Sequence, residues 1–305
     1  MKKENKYQGY PPEVLDKLHK VQMEILGDFI KVCNKYGLKY FAIYGTAIGA
    51  VRHEGFIPWD DDIDVGMLRK DYDRFFEVFE KELGDKYNLL TPEIDSRYAC
   101  TVTHIQRKGT KFVSEMSKDL KCEQCIFMDI FPFDYVAPGK KAQKKQARST
   151  TFWGKLLFLC GTGNPIIPYD GVLGAVMHAG CMLIHLFLKL FRVSPASVYA
   201  KYKAAATAYN DRKERSGYVT SFEYTGSIKD KVRRSALFPV REVPFENLMI
   251  AIPNNNHEFL TKVYGDYMKL PPEDKRVNHM PLEIDFGDVF EESEESERSE
   301  EEITE

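Results

Sequence analysis

Four aspartates occupy five consecutive positions in the sequence Asp60-Asp61-Asp62-Ile63-Asp64. Ile63 and Val65 favour a strand here, and side chains alternate in direction along a strand, so Asp62 and Asp64 project together. Neighbouring carboxylates repel each other, and an apolar backing raises their pKa values unless a cation neutralises them. Because Mg²⁺ binds such oxygen ligands together with substrate phosphate, the pattern predicts a divalent metal site rather than a solvated acidic turn.

The dipeptide Gly45-Thr46 lies between a predicted strand at 38–44 and a predicted helix at 47–53. Backbone N–H groups at a helix N-terminus face an anion, glycine leaves room for it, and Thr46 adds a hydroxyl donor. Alone, such a dipeptide is more often a simple helix cap. Beside the paired aspartates it predicts a phosphate cradle, because phosphoryl transfer needs both a cradle and a metal.

A third carboxylate, Asp129, lies alone in the apolar sequence IFMDIFPF at 126–133. An unpaired buried carboxylate is costly, so this placement favours a functional role over a structural one. Asp129 is therefore predicted to be a metal ligand and also the base that removes a proton from the attacking hydroxyl. Asp134, which follows Pro132, is predicted to be a turn residue.

Three long motifs resemble those of the LicD family of phosphocholine transferases, which are relatives of the fukutin proteins. They are YGTAIGAVRHEGFIPWDDDIDVGM at 44–67, FMDIFPFD at 127–134 and VYGDYMKLPPEDKRVNH at 263–279. The resemblance implies a nucleotidyltransferase-like core that depends on Mg²⁺, with Mn²⁺ as the alternative. It also implies transfer of a phosphorylated alcohol from a CDP-linked donor to a cell-surface glycan. By position it assigns Asp62, Asp64 and Asp129 to the metal.

The loop between Gly45 and Asp62 resembles that of plain nucleotidyltransferases but is longer, and it contains Arg52, His53 and Trp59. These three residues are candidates for recognising the donor, and each has a structural role as its alternative. Arg52 suits a phosphate, and Trp59 suits either stacking on a base or cation–π contact with the ammonium of choline.

The late segment 264–279 combines aromatic rings, a rigid pair of prolines and basic residues. It is predicted either to fold back over the site, bringing Arg276 and His279 near phosphate, or to form a surface cap. The sequence leaves both alternatives open.

The predicted function is transfer of phosphocholine, or a similar phospho-alcohol, from CDP-choline or another CDP-alcohol. The acceptor is a hydroxyl of a glycan such as lipopolysaccharide, teichoic acid or capsule, or of its lipid-linked precursor. An alternative is nucleotidyl transfer that releases pyrophosphate from a nucleoside triphosphate. A non-catalytic binding module is disfavoured because no carboxylate of the three is missing, and nucleic acid is not an expected partner.

Composition sets broader limits, since 305 residues with 43% hydrophobic and 29% charged side chains can form a substantial core. The net charge of −3 is distributed unevenly, because residues 285–305 contain eleven acidic residues and one basic residue, Arg298. That tail is predicted to be disordered, and the remaining body is positive and attracts nucleotide phosphates, acidic glycans or a membrane surface. Six scattered cysteines favour a reducing cytoplasm, with Cys122 and Cys125 as ordinary thiols rather than half of a zinc site.

Hydrophobic periodicity indicates an α+β fold with a mixed sheet flanked by helices. Helices are predicted at 12–36, 47–53 and 71–83, and strands at 38–44, 63–67, 98–106, 111–115, 126–131, 218–222 and 248–252. The expected division is a catalytic core at 1–135, an apolar helical insertion at 136–215, a part that completes the core at 216–284, and the acidic tail at 285–305.

The most apolar stretches, 152–160 and 172–191, lie in the insertion. They are predicted to be buried helices, because His178, His185 and Lys189 would otherwise sit at bilayer depth. Flanking bases leave peripheral contact with the inner face of the plasma membrane as an alternative, and 172–191 is also just long enough to span.

Overall fold

The computed structural model describes residues 9–223 and 228–290. In them, helices α1 to α8 span Pro12–Tyr36, Tyr44–Arg52, Arg69–Leu83, Lys140–Gly161, Gly171–Leu190, Pro195–Ala206, Arg234–Leu237 and Asn256–Tyr264. Strands β1 to β11 span Tyr40–Ala42, Asp64–Leu68, Tyr87–Leu90, Thr103–Arg107, Lys111–Val113, Phe127–Tyr135, Tyr218–Ser221, Val232–Arg233, Arg241–Phe245, Leu248–Ile252 and Glu283–Asp285. The predicted α+β class with a mixed sheet is confirmed.

Strand β6 lies at the centre of a seven-stranded sheet. On one side β2 pairs with it in parallel, from Asp64 opposite Asp129 to Leu68 opposite Phe133. On the other side β4 and β7 pair antiparallel with its first and second halves. Pro132 falls between these two pairings, so its missing N–H interrupts neither of them. β6 can therefore continue past the proline as one long strand.

Asp134 lies in the second half of β6, so its prediction as a turn residue is wrong. The pairing of β6 with β7 places Thr220 opposite Asp134 and leaves its side chain 1% exposed. Arg69 donates two hydrogen bonds to this carboxylate, of 3.0 and 2.7 Å. A buried bidentate ion pair of this kind is costly to break, because the remaining charge would lack a partner.

Helix α1 covers the sheet with a buried stripe. Its residues Leu18, Val21, Ile25 and Phe29 follow helical spacing and are at most 1% exposed. The helix begins with a proline in its first turn and ends at Gly37, whose φ of 66° suits glycine. The predicted bounds of α1 are confirmed, and its first half lies beside the aspartate-rich loop.

Helices α4 and α6 pack against each other in a small second core. Its buried members include Leu157 of α4 and Val198, Tyr199 and Tyr202 of α6. Helix α5 is much less buried than such a core requires, since only 17% of its most apolar 18-residue segment is buried inside the protein. By length and composition it could cross a membrane. The prediction of a buried helix at 172–191 is therefore wrong.

The C-terminal part returns to the body through β11, which pairs antiparallel with β5. Asp285 lies in that strand, opposite Lys111, and Phe286 and Val289 pack against the main core. The first residues of the predicted acidic tail therefore belong to the folded body. Residues 291–305, the rest of that tail, lie outside the described residues.

Candidate active site

The turn between β1 and α2 fixes the first residue of β2. The backbone N–H of Asp64 donates to Oγ1 of Thr46 over 2.8 Å, and its carbonyl accepts from the N–H of Ile43 over 3.1 Å. Asp129 is tied to the same strand, since its N–H donates to the carbonyl of Ile63 over 2.8 Å. Neighbouring strands lie about 4.8 Å apart, so the register brings Asp64 and Asp129 together on one face.

These carboxylates lie in a low-dielectric environment with little positive charge. Burial, followed by repulsion from Asp62 and Asp129, raises the pKa of Asp64 well above its usual range. Burial and then Asp62 do the same to the pKa of Asp129, and the pKa of Asp60 rises for similar reasons. Among the described residues, neither Asp64 nor Asp129 has a Lys or Arg partner. The cluster therefore needs an external cation to be fully ionised.

His104 of β4 lies opposite Asp129, with its Nε2 atom 3.2 Å from Oδ1 of that residue. Its ring stacks on Phe127, with centroids 4.2 Å apart. Burial lowers the pKa of His104 to about 3, so the ring is neutral and supplies no countercharge. No sequence motif singles out His104, because only the strand register reveals that it adjoins Asp129.

Gly45 and Thr46 lie within the first turn of α2, which begins at Tyr44, earlier than predicted. A Cβ atom at Gly45 would lie 2.4 Å from Oδ2 of Asp60, so only glycine leaves room for that carboxylate. The hydroxyl of Thr46 already accepts the bond from Asp64. The two residues thus position the aspartates, and their predicted role as a phosphate cradle stays a prediction.

Helix α1 anchors the aspartate-rich loop through polar groups that sequence reasoning missed. The hydroxyl of Tyr10, just before the helix, donates to Oδ2 of Asp61 over 2.7 Å. Gln22 donates to the carbonyl of Asp61, and a ring nitrogen of His19 lies 2.8 Å from the carbonyl of Asp60. Gln22 is only 2% exposed among apolar neighbours, and that polar position on a buried face was the available signal.

Residues 265–282, here called the strap, fold back over the aspartates rather than forming a detached cap. His279 donates its backbone N–H to both carboxylate oxygens of Asp61, over 3.0 and 2.8 Å. Its Nδ1 atom lies 3.2 Å from Oδ2 of Asp62. Hydrogen bonds to Asp61 and then Asp62 raise the pKa of His279 to about 11, so it is an imidazolium at neutral pH.

The strap also contacts the longer loop. The guanidinium of Arg276 lies 4.2 Å from the ring centroid of Trp59, in cation–π geometry. Arg52 donates from Nη1 to the carbonyl of Tyr267 over 2.6 Å, and from Nε to Nε2 of His53 over 3.0 Å. Arg52, His53, Trp59, Arg276 and His279 are therefore brought together around one strap, as the sequence motifs alone could not show.

A divalent cation fits this donor set. Asp61, Asp62 and His279 offer ligand atoms that all lie within 4.8 Å of one another. Asp64 and Asp129 add carboxylates that have no Lys or Arg partner within the described part of the chain, and the imidazolium of His279 supplies positive charge beside Asp62. Carboxylate oxygens are the ligands that Mg²⁺ prefers, so the acids rather than the histidine suit that ion.

A pocket of about 380 Å³ adjoins the acids, because Tyr10 both lines it and bonds to Asp61. Its walls include the rings of Tyr10, Phe56 and Trp59, together with the carboxylates of Asp16 and Glu246. Aromatic rings beside two acids favour an organic cation over an anion.

Similarity to known proteins agrees with this geometry. The sequence profile described as "LicD/FKTN/FKRP, nucleotidyltransferase domain" matches residues 37–155. The chain is also 33% identical over 266 residues to the lipopolysaccharide cholinephosphotransferase LicD of Haemophilus influenzae, covering 85% of this chain and 93% of that protein. The chain belongs to the LicD family. The resemblance noted from its motifs is thereby confirmed.

Two shorter similarities accompany the LicD match. Uncharacterized proteins of Rickettsia typhi and Rickettsia prowazekii are 38% and 42% identical over 63 and 48 residues, or 20% and 16% of this chain. These segments cover 20% and 18% of the two rickettsial proteins. Asp62, Asp64 and Asp129 all lie inside the range of the LicD profile, whereas Arg276 and His279 lie beyond it.

Proposed function

We propose that this LicD family member is a metal-dependent phosphotransferase with a nucleotidyltransferase-like core. It moves phosphocholine, or a similar phospho-alcohol, from a CDP-linked donor to a hydroxyl of a glycan. The observation that carries the proposal is the pairing of buried Asp64 with half-buried Asp129 across parallel strands, with Asp62 beside them and the strap above.

Asp62, Asp64 and Asp129 would hold Mg²⁺, with Mn²⁺ as the alternative. When bound, the ion supplies positive charge that offsets the diphosphate of the donor. The raised pKa values of Asp64 and Asp129 support this assignment, since both acids gain from a nearby cation.

Asp129 is the proposed base. Its carboxylate takes the proton of the acceptor hydroxyl, the acceptor oxygen bonds to the phosphorus of phosphocholine, and CMP leaves with the bridging oxygen. Neutral His104 lies beside Asp129, with 3.2 Å between its Nε2 atom and Oδ1 of Asp129. Proton removal by a positioned side chain contributes typically about 10²- to 10⁴-fold in rate.

Donor recognition is assigned to the loop and the strap. Arg52, Arg276 and His279 carry the positive groups that face phosphate, with His53 supporting Arg52. Gly45 and Thr46 shape the turn beneath. The pocket that includes Trp59 takes the quaternary ammonium, because its rings and acids complement an organic cation.

Nucleotidyl transfer from a nucleoside triphosphate is the second candidate, since the same acids could serve it. The pocket next to Asp61 favours phosphocholine, because its aromatic rings and the carboxylate of Glu246 attract an ammonium, and Glu246 repels the charge of a triphosphate. A glycan or its lipid-linked precursor is the proposed acceptor. We place the reaction in the cytoplasm, supported by the six cysteines, all of which lie in the described residues and are free.

The test is to incubate the purified protein with Mg²⁺, a glycan acceptor and either CDP-choline or nucleoside triphosphates. We expect CMP and a glycan heavier by one phosphocholine from the first donor. Release of pyrophosphate from a triphosphate, with no transfer from CDP-choline, would overturn the proposal in favour of the second candidate.

A further inference from the structure

Helix α5 presents an apolar surface that the protein does not cover. Its exposed side chains include Val172 at 83%, Leu183 at 67%, Phe187 at 57% and Leu190 at 77% exposure. The only formal charge in the helix is Lys189. Contiguous apolar patches on this scale mark a site of interaction with another surface.

The region around α5 is strongly basic. Residues 136–210 contain ten Lys or Arg and a single acid, Asp170, although the whole chain has a net charge of −3. The bases occur on both sides of α5, as in Lys155 before it and Arg192 and Lys201 after it. An apolar helix within a basic region complements an anionic lipid surface, to which basic residues are attracted.

The packing of the neighbouring helices determines how α5 meets that surface. Helix α4 ends at Gly161 and helix α6 begins at Pro195, so they flank α5 in the chain. They also pack together, through Leu157 against Val198, Tyr199 and Tyr202, and through Gln146, which donates to the carbonyl of Ala206 over 3.1 Å. A helix that crosses a bilayer once leaves its flanking segments on opposite sides. Crossing would therefore pull α4 and α6 apart.

We infer that α5 docks this protein on an anionic membrane surface by lying in the interface, without crossing the bilayer. The exposed apolar side chains enter the boundary between headgroups and acyl chains, and the surrounding bases contact anionic headgroups. The inference goes beyond the transfer reaction and does not depend on it. Only its consequence, that a lipid-linked acceptor meets the site at the membrane, rests on the proposed function.

The experiment is flotation of the full chain with vesicles of phosphatidylcholine alone or with phosphatidylglycerol added. We expect the wild type to float with anionic vesicles, less at high salt, and to be released by alkaline carbonate. The double variant Leu183→Glu/Phe187→Glu should lose flotation by about tenfold or more. Ile94→Glu, which adds the same charge at a residue 58% exposed outside α5, should float normally.

Three results would overturn the inference. Flotation of the double variant equal to that of the wild type would show that another surface binds the lipid. Resistance to carbonate would show that α5 crosses the bilayer. If the wild type forms a dimer and does not bind vesicles, and the double variant is a monomer, then a second copy of the chain covers the apolar surface of α5. Circular dichroism checks that the double variant folds. Its rate of phosphocholine transfer to a soluble acceptor should equal that of the wild type, which separates this test from the test of the catalytic proposal.

Discussion

Asp64 of β2 and Asp129 of β6 are direct partners in a parallel pair of strands. Both main chains are held there by hydrogen bonds, from Asp64 to Thr46 and from Asp129 to Ile63. The two carboxylates therefore start from adjacent backbone positions, which cannot separate without breaking the central sheet. Their repulsion is therefore a fixed property of the fold, which a bound cation can relieve.

Replacing Asp64 or Asp129 by Asn should lower activity without lowering stability. We expect phosphocholine transfer to fall by a factor of roughly 10² or more, since an amide is a poor ligand for a hard cation and cannot take the proton. Stability without metal should stay equal or rise, because each variant removes one of two repelling buried acids. Initial rates and thermal unfolding in chelator measure the two effects.

The exposed Asp85→Asn is the matched control and should change neither quantity. Calorimetry with CDP-choline and Mg²⁺ distinguishes the two acids. Donor binding retained in Asp129→Asn supports the role of base, whereas loss of binding together with activity would make Asp129 chiefly a ligand. Near-normal transfer in both variants would contradict the whole assignment.

His279→Ala should make the protein more responsive to Mg²⁺. The imidazolium offsets one of the two negative charges of Asp61 and Asp62 in the absence of metal, so removing it should lower the unfolding temperature in chelator. Added Mg²⁺ should then stabilise the variant more than the wild type, because binding to the folded state raises stability and no side-chain cation competes. A smaller response than in the wild type would instead show that His279 is itself a ligand. Val277→Ala, an exposed change in the same strap, is the control.

The pocket beside the acids should distinguish donors by the charge of their alcohol group. Trp59→Leu and Glu246→Gln should raise KM for CDP-choline by a factor of about 3 to 30, the range of cation–π energies, with little change in kcat. The glutamine can still accept the bond from the N–H of Phe56 that Glu246 now accepts over 3.0 Å. CDP-glycerol, whose alcohol is neutral, is the matched donor. An equal rise in KM for both donors would mean that the pocket does not recognise the ammonium.

Glu223 should make stability depend on pH. Its carboxylate oxygens are buried, and burial raises its pKa to about 8 despite the nearby hydroxyls of Thr101 and Tyr202. The folded state therefore keeps a proton that the unfolded chain, with an ordinary pKa of 4.5, releases. The unfolding free energy should fall as pH rises from about 4.5 to about 8.

Denaturant titrations of Glu223→Gln across this range provide the check. The variant should match the wild type near pH 4.5 and exceed it at pH 8 by roughly a few kcal/mol, since one pKa unit corresponds to about 1.4 kcal/mol. The exposed Glu80→Gln should follow the wild type at every pH. A variant whose unfolding free energy falls in parallel with the wild type would assign the dependence to another group.

The sequence predicted those features that depend on local pattern. The bounds of α1 and β10 agree with the structure, because helical periodicity and a short apolar run encode them directly. The grouping of Asp62 and Asp64 follows equally from strand alternation. Asp129 was proposed as the third carboxylate from its lone position in an apolar segment and from the family resemblance, but its pairing with Asp64, 65 positions earlier, follows only from the sheet register.

The incorrect predictions concern features that depend on tertiary pairing and not on local pattern. Asp134 was predicted to be in a turn because proline usually ends a strand, but the change of partner from β4 to β7 allows Pro132 inside β6. Helix α5 was predicted to be buried because His178, His185 and Lys189 disfavour a membrane span, but hydropathy does not say which apolar surface covers the helix. Tertiary pairing decides both cases, and a single sequence does not report it.

Asn210 connects the helical region to the catalytic strand. It donates to Oδ1 of Asp134 over 2.7 Å and accepts the N–H of Tyr135 over 2.9 Å, only five or six residues along β6 from Asp129. With α5 docked on a bilayer, this link would help to set the distance between the reacting centre and the lipid. The enzyme would then select sugars by their distance from the membrane. In a membrane-anchored glycan it would modify the sugars at that distance, and not those nearer to the membrane or farther from it.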